Sequence, residues 1–400
     1  MKTIEKQYIV PFVLVTSLFL LWGLANNMTD TLLAAFKRIM DMTDGQTSLI
    51  LSAFYGSYFC FAIPAALFIR RYSYRAGVIL GLCMYALGAL LFFPAAKAAS
   101  YMFYLVAIYI MAGGCSVLET TANPYIMSMG TPETATRRLN IAQAFNPVGS
   151  IAGILISKYL ILDNISLFSV SKTYTALGCV LIAIMVVMLF AKMPEGRDAS
   201  SAGSLHSTLA RLMGNKTYLY GVVAQFFYVG AQVGVWSFTI RIVMQEMGVM
   251  EAEASNIFLI SIVAFCLSRF FYTWLMQWVK PTKLLAVAGV LSMLCSVVVA
   301  LTAGQGIVMI VSLILISLFM SLMFPTIYGT ALGTITSGSH PDDSKIAASI
   351  LIMSILGGAL IPSLQGMLSD ATSIYVSYLV PSLCFAVVLS YAIFALRKGV

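Results

Sequence analysis

Two carboxylates occupy positions where carboxylates are expensive. Asp30 lies in the apolar run from Ile9 to Phe36, and Glu119 lies in the run from Tyr101 to Met129. At the centre of a bilayer each costs about 2.5–3.5 kcal/mol on insertion scales. An acid in hydrocarbon escapes much of that penalty by holding a proton, so two of them point to a device that takes up and releases protons while handling something polar.

The acids have polar company at helical spacing. Trp22, Asn26 and Asp30 recur at i, i+4 and i+8, which confines an indole, an amide and an acid to about 80° of helix surface, with Asn27 beside them. Such residues also join neighbouring helices by hydrogen bonds. Glu119 and Asn123 repeat the spacing ahead of Pro124, whose missing N–H releases a carbonyl around residue 120, and Gly113-Gly114 permits close helix contact. Asn140, Gln143 and Asn146, followed by Pro147, form a third stripe. Gln225, Gln232 and Trp236 form a fourth, and Phe324-Pro325 with Tyr328 adds aromatic rings. An amide both donates and accepts, as a sugar hydroxyl does, and ring faces suit the C–H faces of a sugar. Trp236 and Tyr328 are equally suited to lipid or core packing. Arg269 is the one cation expected inside the membrane. It has four readings: partner of an acid, ligand for an anionic substrate, cap on helix carbonyls, or a cation that snorkels to the interface.

The elements that must position these residues follow from composition. Of 400 residues 60% are hydrophobic and 10% charged, with a mean hydropathy of +0.94, against about 45–50% and 25% for soluble domains. Twelve apolar runs, the first over 8–36 and the last over 372–396, each approach or exceed the ~20 residues that cross a bilayer as a helix. The net charge of +8 invites comparison with nucleic-acid binders, but its placement excludes them. With the N-terminus inside, loops on the inner side hold sixteen of the 23 Lys and Arg and outer loops hold six, which places both termini in the cytoplasm. The first run is too long for a signal peptide and carries polar residues where a cleavage site would be. Seven scattered cysteines suggest neither a disulfide nor a metal framework, and no phosphate cradle, metal-ligand set or nucleophile elbow is present. No cofactor and no enzyme activity are expected.

A polar stretch divides the runs six and six. The expected fold is an all-α membrane protein of twelve transmembrane helices, with residues 1–192 and 217–400 as two bundles and 193–216 as a cytoplasmic linker. At an offset of 207–208, Gly23 falls on Gly230, Gly149 on Gly357, Asp30 on Ser237, and the loop 70–75 on 278–283. Secondary transporters are commonly built from such repeats, with substrate near the midplane. Counted from Lys37, Asp30 lies about 10 Å inward; counted from Glu133, Glu119 lies about 21 Å up. The two acids are thus expected at different depths, with Asp30 nearer the outside.

Three stretches carry a family resemblance: Trp22 to Asp30, Leu118 to Pro124, and Leu139 to Asn146. They resemble the fucose permeases, L-fucose:proton symporters of the fucose/glucose/galactose branch of the major facilitator superfamily, and the similarity extends through Tyr228–Ser237 and Pro325–Tyr328. The resemblance implies the major facilitator fold, proton or coupling roles for Asp30 and Glu119, sugar contacts from Asn27, Gln143 and Asn146, and pocket positions for Trp22 and Trp236. Glucose/galactose members tend to carry Gln where Glu119 stands, so this acid favours the fucose side. Phe324 departs from the tyrosine of fucose permeases, with the Tyr328 hydroxyl one turn on. The expectation is a monomer in the bacterial inner membrane that imports a neutral sugar such as L-fucose with protons. The site is expected to comprise Trp22, Asn26, Asn27, Asn123, Gln143, Asn146, Gln232, Trp236, Phe324 and Tyr328. The alternatives are another sugar, a drug/proton antiporter, or a sensor that binds sugar without moving it.

Overall fold

A chain surrounded by hydrocarbon must satisfy its backbone N–H and C=O groups internally, which leaves helices as the economical solution for single segments. The computed structural model describes residues 4, 6–40, 44–162, 166–194, 204–338 and 343–399, and among these there is no strand. The side chains of Asn26 and Asp30 lie outside the described residues, as does the linker from 195 to 203. In chain order the first six crossings are α1 (Ile9–Ile39), α2 (Asp44–Arg71), α3 (Tyr74–Leu90), α4 (Tyr101–Ser128), α5 in two pieces, α5a (Ala135–Gln143) and α5b (Asn146–Ser157), and α6 (Leu167–Phe190). The second six are α7 (Lys216–Met247), α8 (Glu251–Leu275), α9 (Pro281–Leu301), α10a (Gly306–Met320) with α10b (Met323–Thr336), α11a (Ser344–Met353) with α11b (Gly357–Ala371), and α12 (Leu379–Arg397). Among the described residues, 12 segments are long and apolar enough to cross a membrane, matching the twelve apolar runs. The protein is a multi-pass membrane protein.

Helix ends fall where the local chemistry asks for them. Ser73, Ser100, Ser166 and Asn215 precede α3, α4, α6 and α7, and each side chain accepts a backbone N–H of the first turn. Pro281 opens α9 at the position where its missing N–H costs nothing. Gly248, at φ 63°, closes α7 in the left-handed conformation that glycine adopts without strain. Within the polar stretch between the halves, Leu205–Gly214 forms a short helix that composition alone did not announce. It is anchored by Thr208, whose hydroxyl donates to Asp343 Oδ1 at 2.8 Å.

Packing sorts the chain into two compact units, one of Met1–Pro132, Val148–Leu209 and His340–Met353, the other of Glu133–Pro147, Ala210–Ser339 and Ser354–Val400. In the first, α4 packs along α2 and α3, α6 lies on α3, and α11a lies on α2 and α4. In the second, α7 packs against α10b, α11b and α12, and α5a lies on α10b and α8. The segments α5a and α11a thus belong by packing to the unit built mainly from the other half of the sequence. Each leaves that unit at a helix break.

Those breaks have causes in the sequence. Pro147 cannot donate to the carbonyl of Gln143, and α5 turns at Ala144–Phe145. Pro325 likewise cannot donate to Ser321, and α10 turns at Ser321–Leu322. In α11 a turn of 3-10 helix over Ser354–Leu356 precedes Gly357-Gly358. The internal repeat acquires physical content at the next residue pair. A methyl group placed on Gly149 of α5b would lie 1.8 Å from the Leu20 carbonyl oxygen of α1, and one placed on Gly357 would lie 2.0 Å from that of Phe226 on α7. Each unit therefore uses a glycine at the matching place to bring two backbones into contact.

Candidate functional site

In the first unit the candidates converge on α4. The Trp22 indole, 2% exposed, donates from Nε1 to the Cys115 carbonyl at 3.1 Å, one turn before Glu119, and its ring lies 4.7 Å from that of Phe19. Asn27 donates to the Gly23 carbonyl at 3.0 Å, which ties part of its amide to its own helix. Glu119 is half-buried, and the Tyr58 hydroxyl and the Asn123 side chain stand beside its carboxyl. Tyr58 is held in turn because the Ser116 hydroxyl donates to the Tyr58 carbonyl at 3.1 Å. Asn123 is fully buried immediately before Pro124. No reading of the sequence singled out Tyr58: it sits in an apolar helix with no polar stripe, and only packing brings α2 to α4.

The candidates of the second unit gather around broken helices. Gln143, 4% exposed, ends α5a, and half-buried Asn146 begins α5b. On the same stripe, Asn140 donates to the Thr136 carbonyl at 2.9 Å and to the Thr326 hydroxyl at 3.4 Å, so it joins α5a to α10b. Half-buried Trp236 donates from Nε1 to the Ser317 hydroxyl at 3.2 Å and meets Phe265 edge-on at 5.0 Å. Phe324 lies parallel to Tyr328 at 6.3 Å and edge-on to Tyr228 at 6.4 Å. Tyr328 is fully buried, and Gln232 is half-buried on α7.

Arg269 settles among carbonyls. It is 3% exposed, and its Nε donates to the Ser321 carbonyl at 2.6 Å while Nη1 donates to the Gln143 carbonyl at 3.1 Å. Its guanidinium carbon stands 4.6 Å from the Phe265 ring centre. Of the four readings open from sequence, this geometry is that of a helix cap.

The arrangement supplies an acid beside a phenol and an amide in one unit, and amides and aromatic rings at helix breaks in the other. No group of His, Cys, Asp and Glu able to hold a metal occurs among the described residues. Comparison with known proteins gives this chemistry a family. Residues 14–340 match the Major Facilitator Superfamily. The chain is 40% identical to the L-fucose-proton symporter of Haemophilus influenzae, covering 98% of this chain and 97% of that protein. It is 36% identical to the L-fucose-proton symporter of Escherichia coli, covering 98% and 94%, and 30% identical to a glucose/galactose transporter of Brucella abortus, covering 97% and 95%. The crystal structure of the transporter FucP in the outward conformation superposes with a TM-score of 0.89 at 34% identity, over 98% of this chain and 99% of that one. The family match over residues 14–340 and the near-full-length relatives show that this chain belongs to the Major Facilitator Superfamily.

Proposed function

We propose that the protein imports a neutral 6-deoxy hexose of the L-fucose type together with protons, by alternating access between the two sides of a bacterial inner membrane. Glu119 carries the reading: an acid inside a membrane-crossing helix, with a phenol and an amide, Tyr58 and Asn123, beside it, has the surroundings of a group that gains and loses a proton. The relatives named for L-fucose-proton symport are more similar to this chain than the one named for glucose and galactose, which favours the fucose side. Asp30 is the second coupling acid. Trp22, Asn27, Asn123, Gln143, Asn146, Gln232, Trp236 and Phe324 provide the sugar contacts, and Asn26 and Tyr328 complete the set. The six-helix halves, residues 1–192 and 217–400, rock as bundles in a monomer with both termini in the cytoplasm.

The energetics suffice. A membrane potential contributes roughly 2.3 kcal/mol per charge per 100 mV and each pH unit about 1.36 kcal/mol, so one proton supports several-hundred-fold accumulation. Glu119→Gln tests the reading in proteoliposomes. Its amide cannot carry a transferable proton, so exchange of labelled L-fucose across the membrane is expected to persist while accumulation and alkalinisation of the medium stop. Accumulation by that variant would refute the role of Glu119, and a sugar panel in the same vesicles separates fucose from glucose and galactose.

A further inference from the structure

Each carbonyl bonded by Arg269 is one that a proline has deprived of its helical donor. Gln143 stands four residues before Pro147, and Ser321 stands four residues before Pro325. In an unbroken helix the N–H of residue i+4 would fill each acceptor, and proline has none. One guanidinium therefore replaces two missing backbone donors on two different helices, at 3.1 Å and 2.6 Å. Among the described residues no carboxylate is bonded to it, and the Phe265 ring covers one face of the cation. A buried charge without a counter-ion is tolerated where charge-assisted hydrogen bonds and a ring face replace its water.

The flanking residues give the clamp a purpose. Gln143 and Asn146 bracket the first break, while Phe324 precedes the second proline and Tyr328 follows it by one turn. We propose that Arg269 is a positioning residue for sugar recognition: by holding both proline breaks in one geometry it sets the direction of the Gln143–Asn146 turn and of the Phe324–Tyr328 turn, without itself touching sugar or exchanging protons. This inference rests on the sugar-transport reading, and it assigns to the α8 cation a task different from charge pairing or anion binding. The Glu119 cluster is built from α2 and α4, which belong to the other unit.

The test uses the full-length protein in proteoliposomes and begins with the unmodified chain. Absence of labelled L-fucose flux there sinks the fucose reading, and the clamp is then tested with whichever sugar of the panel the chain moves. Arg269→Gln removes the charge and the two-pronged reach. A hydrogen bond from a charged donor is worth about one to two powers of ten in an equilibrium constant, so KM is expected to rise at least about tenfold with the proton-to-sugar ratio unchanged. Arg269→Lys keeps the charge but not the fork and should fall between, and it carries the test if the glutamine variant does not fold. Adding Pro147→Ala to either variant restores an N–H for the Gln143 carbonyl and should recover part of the lost thermal stability. A KM within twofold of the unmodified protein overturns the proposal, as does loss of proton coupling at unchanged KM. A fall in affinity confined to anionic sugars would return Arg269 to the role of ligand.

Discussion

Gly149→Ala puts one methyl group where there is least room for it. The new carbon would sit 1.8 Å from the Leu20 carbonyl oxygen, about 1.6 Å short of the 3.4 Å at which ordinary contact begins. The obstacle is main chain, so no rotamer change relieves it, and α5b must part from α1 along the seam that Gly153 continues against Leu24. Overpacking costs about 1–3 kcal/mol where neighbours can adjust, and a rigid carbonyl places this substitution at or above ~3 kcal/mol. Gly357→Ala, 2.0 Å from the Phe226 oxygen, should cost a similar amount on the α11b–α7 seam. Gly56→Ala is the control: nothing lies within 4 Å of its new methyl, so the helix gains up to ~1 kcal/mol from alanine's better propensity. Thermal unfolding of the purified proteins in detergent, read beside initial rates of sugar uptake, makes the comparison. Both seam variants are expected to unfold several degrees below the control and to transport more slowly. If Gly149→Ala proved as heat-stable as Gly56→Ala, the close approach of α5b to α1 would be wrong.

Two further outcomes follow from polar groups outside the site. Gln365 is fully buried and neither of its amide atoms has a hydrogen-bond partner among the described residues, so Gln365→Met, which keeps the length and discards the amide, should leave the unfolding temperature unchanged or raise it. A drop would show that the amide is used. Tyr375 donates to Glu246 Oε2 at 2.6 Å, and the same oxygen accepts the Gly304 N–H at 3.1 Å. Burial, and after it the Glu246 carboxylate, push the Tyr375 phenol up to about 12. Because its folded value lies above the ordinary 10, its contribution is complete below pH 10 and disappears as pH rises through 12. Tyr375→Phe should therefore unfold at a lower temperature than the unmodified protein up to pH 10, and the gap should close between pH 10 and 12. A gap that does not change with pH would refute the bond.

Much of the architecture was legible because hydrocarbon allows few solutions. Twelve apolar runs could become little other than twelve helices, and the acids, amides and tryptophans within them were conspicuous against that background. Resemblance through Trp22–Asp30 and Leu118–Pro124 then pointed to a family that full-length relatives bear out. The helix breaks were half-visible, since Pro147 and Pro325 advertise a missing N–H but not what replaces it. Tyr58 was invisible, because a tyrosine in an apolar helix has no pattern that distinguishes a packing residue from the partner of an acid. The exchange of α5a and α11a between units was likewise unreadable: hydropathy reports that a segment is buried, not which neighbour buries it.

By itself the amino-acid sequence determined which segments lie in lipid and which rare polar groups they carry, because both follow from the cost of leaving a backbone or side-chain polar group without a partner. Only the tertiary structure decided who the partners are. Arg269 could have answered an acid, a substrate or a carbonyl, and the choice fell to the two proline-orphaned carbonyls that packing brings within 3.1 Å of its fork. Hydrogen bonds are directional and short, so their pairing depends on distances that one-dimensional spacing along a chain does not contain.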